Sequence, residues 1–279
     1  MAVTIGMGDY VYHYQPGWAR LPSGMAFQTP SAVAVDSQDR VYVFQRHGPP
    51  VLVFDSSGGF LRAWPRRDGE LEDAHHIYIG PDYGVYLADR DAHQVLKFTT
   101  EGELVMALGH RHKAALQAPF NHPSDIAVAP SGEIYVSDGY GNSCVHRFTE
   151  GGDYISSFGA PGSGPGEFLV PHSIRIAGDG RVYVCDREND RVQVFSPDGE
   201  FLDQWTDFKG PMGIHIDADQ TVYVTDQVPR ISILDLDGKL LARGRTFEYG
   251  HNVYTDSHGD IYAVDVANQR VQKFVRQRA

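Results

Sequence analysis

Three histidines, His75, His172 and His251, occupy one and the same position in a pattern that this sequence repeats six times. Three neutral imidazoles that leave a fourth position open are the ligand set of a catalytic zinc ion. Cobalt, iron and copper accept the same ligand type. A lone histidine at a strand start is ordinarily a hydrogen-bonded core or surface residue, and the chain has 13 histidines, so the grouping carries weight only through its register. His76 adjoins His75, and the two-residue alternation of a strand predicts that it points to the opposite face as a structural residue. His110 and His112 share a loop and make a weaker metal-binding pair.

The register comes from internal repeats, which decide a fold before any single residue does. One copy reads Pro171-His172-Ser173-Ile174-Arg175-Ile176, a Gly-Asp turn, then Arg181-Val182-Tyr183-Val184-Cys185-Asp186. Another begins at Pro123, and four more begin at Pro30, Ala74, Pro211 and Gly250. The residue after each start is Ser31, His75, Ser124, His172, Met212 or His251, and fourteen positions later stands Gln45, Asp89, Asp138, Asp186, Asp226 or Asp265. A third apolar segment follows in every copy and a fourth in five of them. The segments are short, β-branched and aromatic, with Gly or Asp turns between them, and no long stretch has a helical period. Starts lie 39 to 49 residues apart, the spacing of four-stranded propeller blades. The expected fold is therefore all-β, one six-bladed propeller domain over residues 1–279. Tyr10–Tyr14 is the candidate for the missing fourth strand of the last blade, which would close the ring and hide both edges. The segments 65–73, 110–121 and 160–168 are expected as face loops.

In such a ring the first strand of each blade lines a central channel. Copies two, four and six then stand roughly 120° apart, and their histidines converge on the axis. One residue past the aspartate position stand Arg46, Arg90, Gly139, Arg187, Gln227 and Val266, with Tyr140 following Gly139. Guanidinium groups there can bind a carboxylate bidentately. For Arg90, pairing with nearby aspartates is the stronger reading. The repeated aspartates are expected to accept backbone hydrogen bonds in each blade.

Composition narrows the function. The chain has 279 residues, 24 Lys+Arg against 36 Asp+Glu, a net charge of −12 and a hydrophobic share of 42%. That share is globular, and the acidic balance opposes phosphate backbones, so no nucleic-acid partner is expected. No run approaches the ~18 apolar residues of a membrane helix, and the N-terminus lacks a basic segment followed by an apolar one. Two cysteines, Cys144 and Cys185, make no disulfide framework. A cytoplasmic location is expected, although a secreted protein stripped of its leader has the same composition.

The run Pro171-His172-Ser173-Ile174 through Cys185-Asp186-Arg187-Glu188-Asn189-Asp190-Arg191-Val192-Gln193 resembles the peptidyl-α-hydroxyglycine α-amidating lyases, as do Pro123 through Ser137-Asp138-Gly139-Tyr140-Gly141-Asn142 and the stretch containing His75, Asp89 and His93-Gln94-Val95. More broadly the repeats look like NHL repeats. The resemblance implies a six-bladed propeller with zinc on His75, His172 and His251, an active-site tyrosine at Tyr140 and active-site arginines at Arg187 and Arg46. It implies cleavage of the C–N bond of an N-acyl α-hydroxyglycine to an amide and glyoxylate. The sequence departs from that family where Tyr249 replaces a methionine two residues before the last histidine. It departs again where Asn252 replaces an acidic residue that helps bind a structural calcium. Its cysteines do not match the animal enzymes' disulfides, and no monooxygenase-type segment accompanies the repeats. The first and last differences count against a peptide substrate, and the second against calcium.

A carbinolamide collapses to aldehyde and amide once its hydroxyl proton is removed. Zinc on that oxygen would act as a Lewis acid and lower its pKa. Tyr140 is the candidate base, with metal-bound hydroxide as the rival, and a phenol needs a neighbouring cation to serve near neutrality. The expected partner is a small or peptide-like molecule bearing a carboxylate, held by Arg187 and Arg46. A lactonase-like metal hydrolase and a non-enzymatic NHL-type binding module are the competing readings. Calcium on Asp, Asn and Glu is usual for the first, and a histidine triad would be surplus in the second.

Overall fold

A computed structural model describes residues 3–65, 71–246, 248 and 250–278. It contains six antiparallel blades, as the repeat spacing predicts. Blade four is representative, with strands Pro171–Ile176, Val182–Asp186, Arg191–Phe195 and Phe201–Trp205 in sequence order from the channel outward. The first strands of the other blades are Pro30–Val35, Ala74–Ile79, Asp125–Val128, Pro211–Ile216 and Asn252–Thr255.

The core is divided among the blade interfaces. Ala34, Phe44 and Val51 of blade one pack with Ile77, Leu87 and Phe98 of blade two, and five further clusters fill the other interfaces. Each second strand contributes one buried tyrosine at the same register: Tyr42, Tyr86, Tyr135, Tyr183, Tyr223 and Tyr262. A blade has no core of its own, because its two faces are buried only against its neighbours. The ring must therefore close for any interface to be complete.

Closure uses the N-terminal segment. Tyr10–Gln15 pairs antiparallel with Arg270–Gln277, the third strand of blade six. The sequence pattern missed a further strand, Thr4–Met7, which pairs outside Tyr10–Gln15 and gives this sheet five strands. Ile5 on it packs with Ile231 and Ala242 of blade five.

One expected loop needs correction. Within 160–168, Ala160–Pro161 and Glu167–Phe168 pair as a short parallel ladder, which buries Phe168 against Phe195. In the segment 65–73, residues 66–70 lie outside the described residues. Among the described residues no helix is long and apolar enough to cross a membrane.

Removing residues 3–15 would leave the edge of Arg270–Gln277 unpaired and strip Tyr12 from its cluster. We expect the truncated chain to unfold at a lower temperature with lost cooperativity and to associate through the bare edge. Calorimetry and size-exclusion chromatography check this, and a monomer with an unchanged Tm would contradict it.

Candidate metal centre

Four of the six first strands enter the channel with an irregularity. Register shifts fall at Pro30/Ala32, Ala74/Ile77, Pro171/Ser173 and Pro211/Gly213, so one extra residue stands in the first strand at the position after the repeat start. The segment leading in is clamped by the buried side chain that ends the second strand of the same blade. Gln28 N donates to Gln45 Oε1 at 2.8 Å, Asp73 N to Asp89 at 2.9 Å, Asn121 N to Asp138 at 2.8 Å, Leu169 N to Asp186 at 2.9 Å and Lys209 N to Asp226 at 3.2 Å. The repeated aspartates are thus architectural, and Gln45 does the same work without a charge. Burial raises the Asp89 carboxyl to about 6, although the backbone N–H bonds pull it down.

The bulge delivers His75 and His172, and His251 stands just before its strand. His75, His172 and His251 lie at 0%, 0% and 6% exposure. One ligand atom from each falls within 4.8 Å of the others, and their ring centres are 4.9 to 5.1 Å apart. Each Nδ1 meets a main-chain carbonyl of the next blade: Ser124 O at 2.6 Å, Met212 O at 2.6 Å and Ser31 O at 2.8 Å. A carbonyl only accepts, so every Nδ1 carries the hydrogen and every Nε2 keeps its lone pair. Burial, and then the neighbouring imidazoles, push all three well below the usual imidazole range. They are neutral ligands, as a metal requires.

The phenol of Tyr140 lies between two of these lone pairs, 2.9 Å from His75 Nε2 and 3.0 Å from His172 Nε2. One hydroxyl proton can satisfy only one of them. Three converging imidazole nitrogens are the donor set that zinc takes. The donor chemistry fits the ion.

Arginines border the same point. Arg187 Nη1 donates to Tyr140 Oη at 3.1 Å, and the guanidinium carbons of Arg187 and Arg90 lie 5.2 and 5.0 Å from the Tyr140 ring centre. The main chain sets them there: Arg46, Arg90 and Arg187 donate their N–H to Thr29, Asp73 and Val170, each two residues before the channel position. Blade three has Gly139 at that register, where a Cβ would stand 2.2 Å from the Pro171 carbonyl oxygen. The missing side chain admits the next residue, Tyr140. Arg46 lies farther round and shares Asp73 with Arg90, at 3.4 and 2.9 Å. Arg90 thus has the expected aspartate pairing and, in addition, a face of Tyr140.

His76 needs correction. It does not point away from the channel, because the extra residue in its strand places it beside His75 on the same side. It is fully buried, with its ring 4.7 Å from that of His75 and 5.3 Å from those of His172 and His251. Its Nδ1 shares the Ser124 carbonyl at 2.9 Å. His112 pairs with Glu72 at 3.2 Å and takes no part in the centre. Tyr249 lies outside the described residues.

Comparison with known proteins agrees with this architecture. A family described as a 6-bladed beta-propeller matches residues 117–230. NHL repeat-containing protein 3 of Homo sapiens is 31% identical over 254 residues, 84% of this chain and 72% of that protein. A probable peptidyl-alpha-hydroxyglycine alpha-amidating lyase of Caenorhabditis elegans is 38% identical over 127 residues, 44% of this chain and 36% of that one. A solved putative gluconolactonase superposes with a TM-score of 0.71 over 99% of this chain and 98% of its own, at 14% identity, which is a likeness of fold.

Acid should dismantle the centre. His75, His172, His251 and His215 all have folded-state pKa values pushed down chiefly by burial. The unfolded chain binds protons at these sites below about pH 6.5 while the folded chain does not. The stability these groups contribute is therefore full above that pH and is lost as the pH drops below it. Asp89, raised to about 6, opposes this, as do Asp73, Asp217, Asp226 and Asp256, which burial also raises. We expect Tm and bound metal to fall together below pH ~6.5. A Tm that is flat from pH 7 to 5 would contradict this assignment.

Proposed function

From the premise that the chain belongs to the family of NHL repeat-containing protein 3, we propose that it is a zinc-dependent carbon–nitrogen lyase. Its substrate is an N-acyl α-hydroxyglycine-like carbinolamide, and its products are an amide and glyoxylate. That family's name specifies a repeat and no reaction, so the reading rests on the site. The observation that carries it is the meeting of three imidazole lone pairs, the Tyr140 phenol and the Arg187 guanidinium at one point of the channel. The likeness to a probable amidating lyase supports it.

His75, His172 and His251 would hold the ion, each oriented by its neighbour's carbonyl. Bound there, zinc supplies Lewis acidity toward a hydroxyl brought to its open position. The other roles belong to side chains. Tyr140 accepts the hydroxyl proton at its phenolic oxygen, where Arg187 donates a hydrogen bond that favours the negative charge. As the proton leaves, the C–O bond gains double-bond character, the C–N bond breaks, and Tyr140 passes the proton it took to the departing nitrogen, which restores the base. Arg187 and Arg46 bind the carboxylate that becomes part of glyoxylate. Arg90 packs on the tyrosine ring and fixes its angle. The substrate is a small or peptide-like carboxylate, and the site of action within the cell is proposed as the cytoplasm.

The zinc-loaded chain should release glyoxylate from a panel of N-acyl α-hydroxyglycines of differing acyl size. Tyr140→Phe should lower kcat by roughly 10²- to 10⁴-fold, the usual contribution of a positioned base. His172→Ala should lose both metal and turnover, and Arg187→Gln should raise KM as well as lower kcat. Near-normal kcat in Tyr140→Phe would remove the tyrosine as base. Glyoxylate from no member of the panel would end the lyase reading, and lactone hydrolysis in its place would establish the hydrolase alternative.

A further inference from the structure

Beneath the three histidines the channel has a second polar level that the proposed reaction does not use. Its centre is a buried ion pair between blades. Arg175 Nη1 lies 2.7 Å from Asp125 Oδ2, with the two side chains at 4% and 0% exposure. The same carboxylate accepts from Ser173 Oγ at 2.6 Å and from the N–H groups of Ile126 at 2.8 Å and Ile174 at 3.1 Å. The guanidinium carbon stands 5.2 Å from the ring centre of Tyr78 in blade two. One cation from blade four is thereby bonded to blade three and stacked on blade two. Its Nε and Nη2 have no hydrogen-bond partner within the described protein and are buried.

The lyase resemblance implies a structural calcium in this channel, with an acidic residue after the last histidine as one of its ligands. The residues present do not fit that ion. Calcium takes six to eight oxygen ligands, carboxylates prominent among them. Asn252 stands in the acidic place, and its Oδ1 is already used by Val33 N at 2.9 Å, a tie from blade six to blade one. What Asn252 has left over is Nδ2, a buried donor without a partner. A donor is the wrong end of an amide for a cation. Asp125 is neutralised by Arg175, and a guanidinium at this level repels a second positive charge in a medium of low polarity.

We infer that Arg175 is the resident cation of the lower channel, tying blades two, three and four together from within the chain, and that the ring takes no calcium. The consequence is a protein whose architecture is independent of the calcium level around it, while its upper site still depends on a transition metal. This holds whether or not the lyase reading does, because it concerns assembly and not turnover.

The test uses the full chain stripped of metal by a chelator and dialysed against calcium chloride or zinc chloride, with bound metal and Tm measured together. Zinc should bind at one ion per chain. Calcium should not bind, and Tm in millimolar calcium should equal that of the stripped protein. Stoichiometric calcium with a raised Tm would overturn the inference, since a ligand at ~100 times its Kd stabilises visibly. Arg175→Met leaves Asp125 buried without a counter-charge, and its Tm should fall by on the order of 10 °C with zinc stoichiometry kept. Arg175→Met with Asp125→Asn should recover part of that fall. An Arg175→Met protein as stable as the parent would also overturn the inference. Should that variant not fold, the calcium dialysis of the parent chain still decides.

Discussion

The centre depends on one hydrogen bond made three times, an imidazole N–H to a main-chain carbonyl of the following blade. His75 leans on Ser124, His172 on Met212 and His251 on Ser31. The three blades that lack a channel histidine thus supply the acceptors that fix the other three. Donor and acceptor belong to different sheets, so no blade can prepare a ligand alone. The His251 bond joins residues 220 positions apart in the chain and exists only when the ring is shut. Assembly of the site and closure of the fold are one event.

Buried charge is managed by the same economy. The residues that end the second strands are carboxylates in five blades and an amide in the first, and in blades one to five they accept from N–H groups of the segments that lead to the channel. A carboxylate in that place costs desolvation, visible in the raised Asp89, and is kept because it positions backbone that would otherwise be free. Asp186 accepts also from Arg191, Asn189 and Gln193, which rigidifies the turn carrying Arg187. The site's side chains are therefore set by main chain on one side and buried polar clamps on the other.

The repeat made the ring, the blade order and the convergence of the three histidines legible before any coordinate, because a strict register converts sequence spacing into angle. Legibility ended where the register itself breaks. The alternation rule placed His76 on the wrong face, since a bulge is a backbone event with no residue signature here: Pro30, Ala74 and Pro171 all precede one. Arg90 was read from its aspartates, and its contact with Tyr140 crosses between blades two and three, a proximity no spacing encodes. Thr4–Met7 fell outside the six copies and so outside the pattern. The ladder at 160–168 forms from two pairs of residues, too short for any periodicity.

The hub carries its charges on two levels that obey opposite rules. Above, three uncharged imidazoles would leave the charge of a divalent ion undiminished, so anionic groups would be favoured beside it. Arg187 and Arg46 carry positive charge beside the same point, which is the basis of the proposed carboxylate substrate. Below, Arg175 and Asp125 cancel each other and present nothing to a mobile ion. A channel with two uncompensated cations along one axis would be strained by their repulsion. Fixing the lower one as a paired guanidinium removes that conflict and leaves the upper one as the channel's open electrostatic demand. A ring that shares its fold with a putative gluconolactonase can thus differ from it at the axis. The ring supplies six radial positions, and the choice of imidazole at alternate ones, with a guanidinium beneath, decides what the axis attracts.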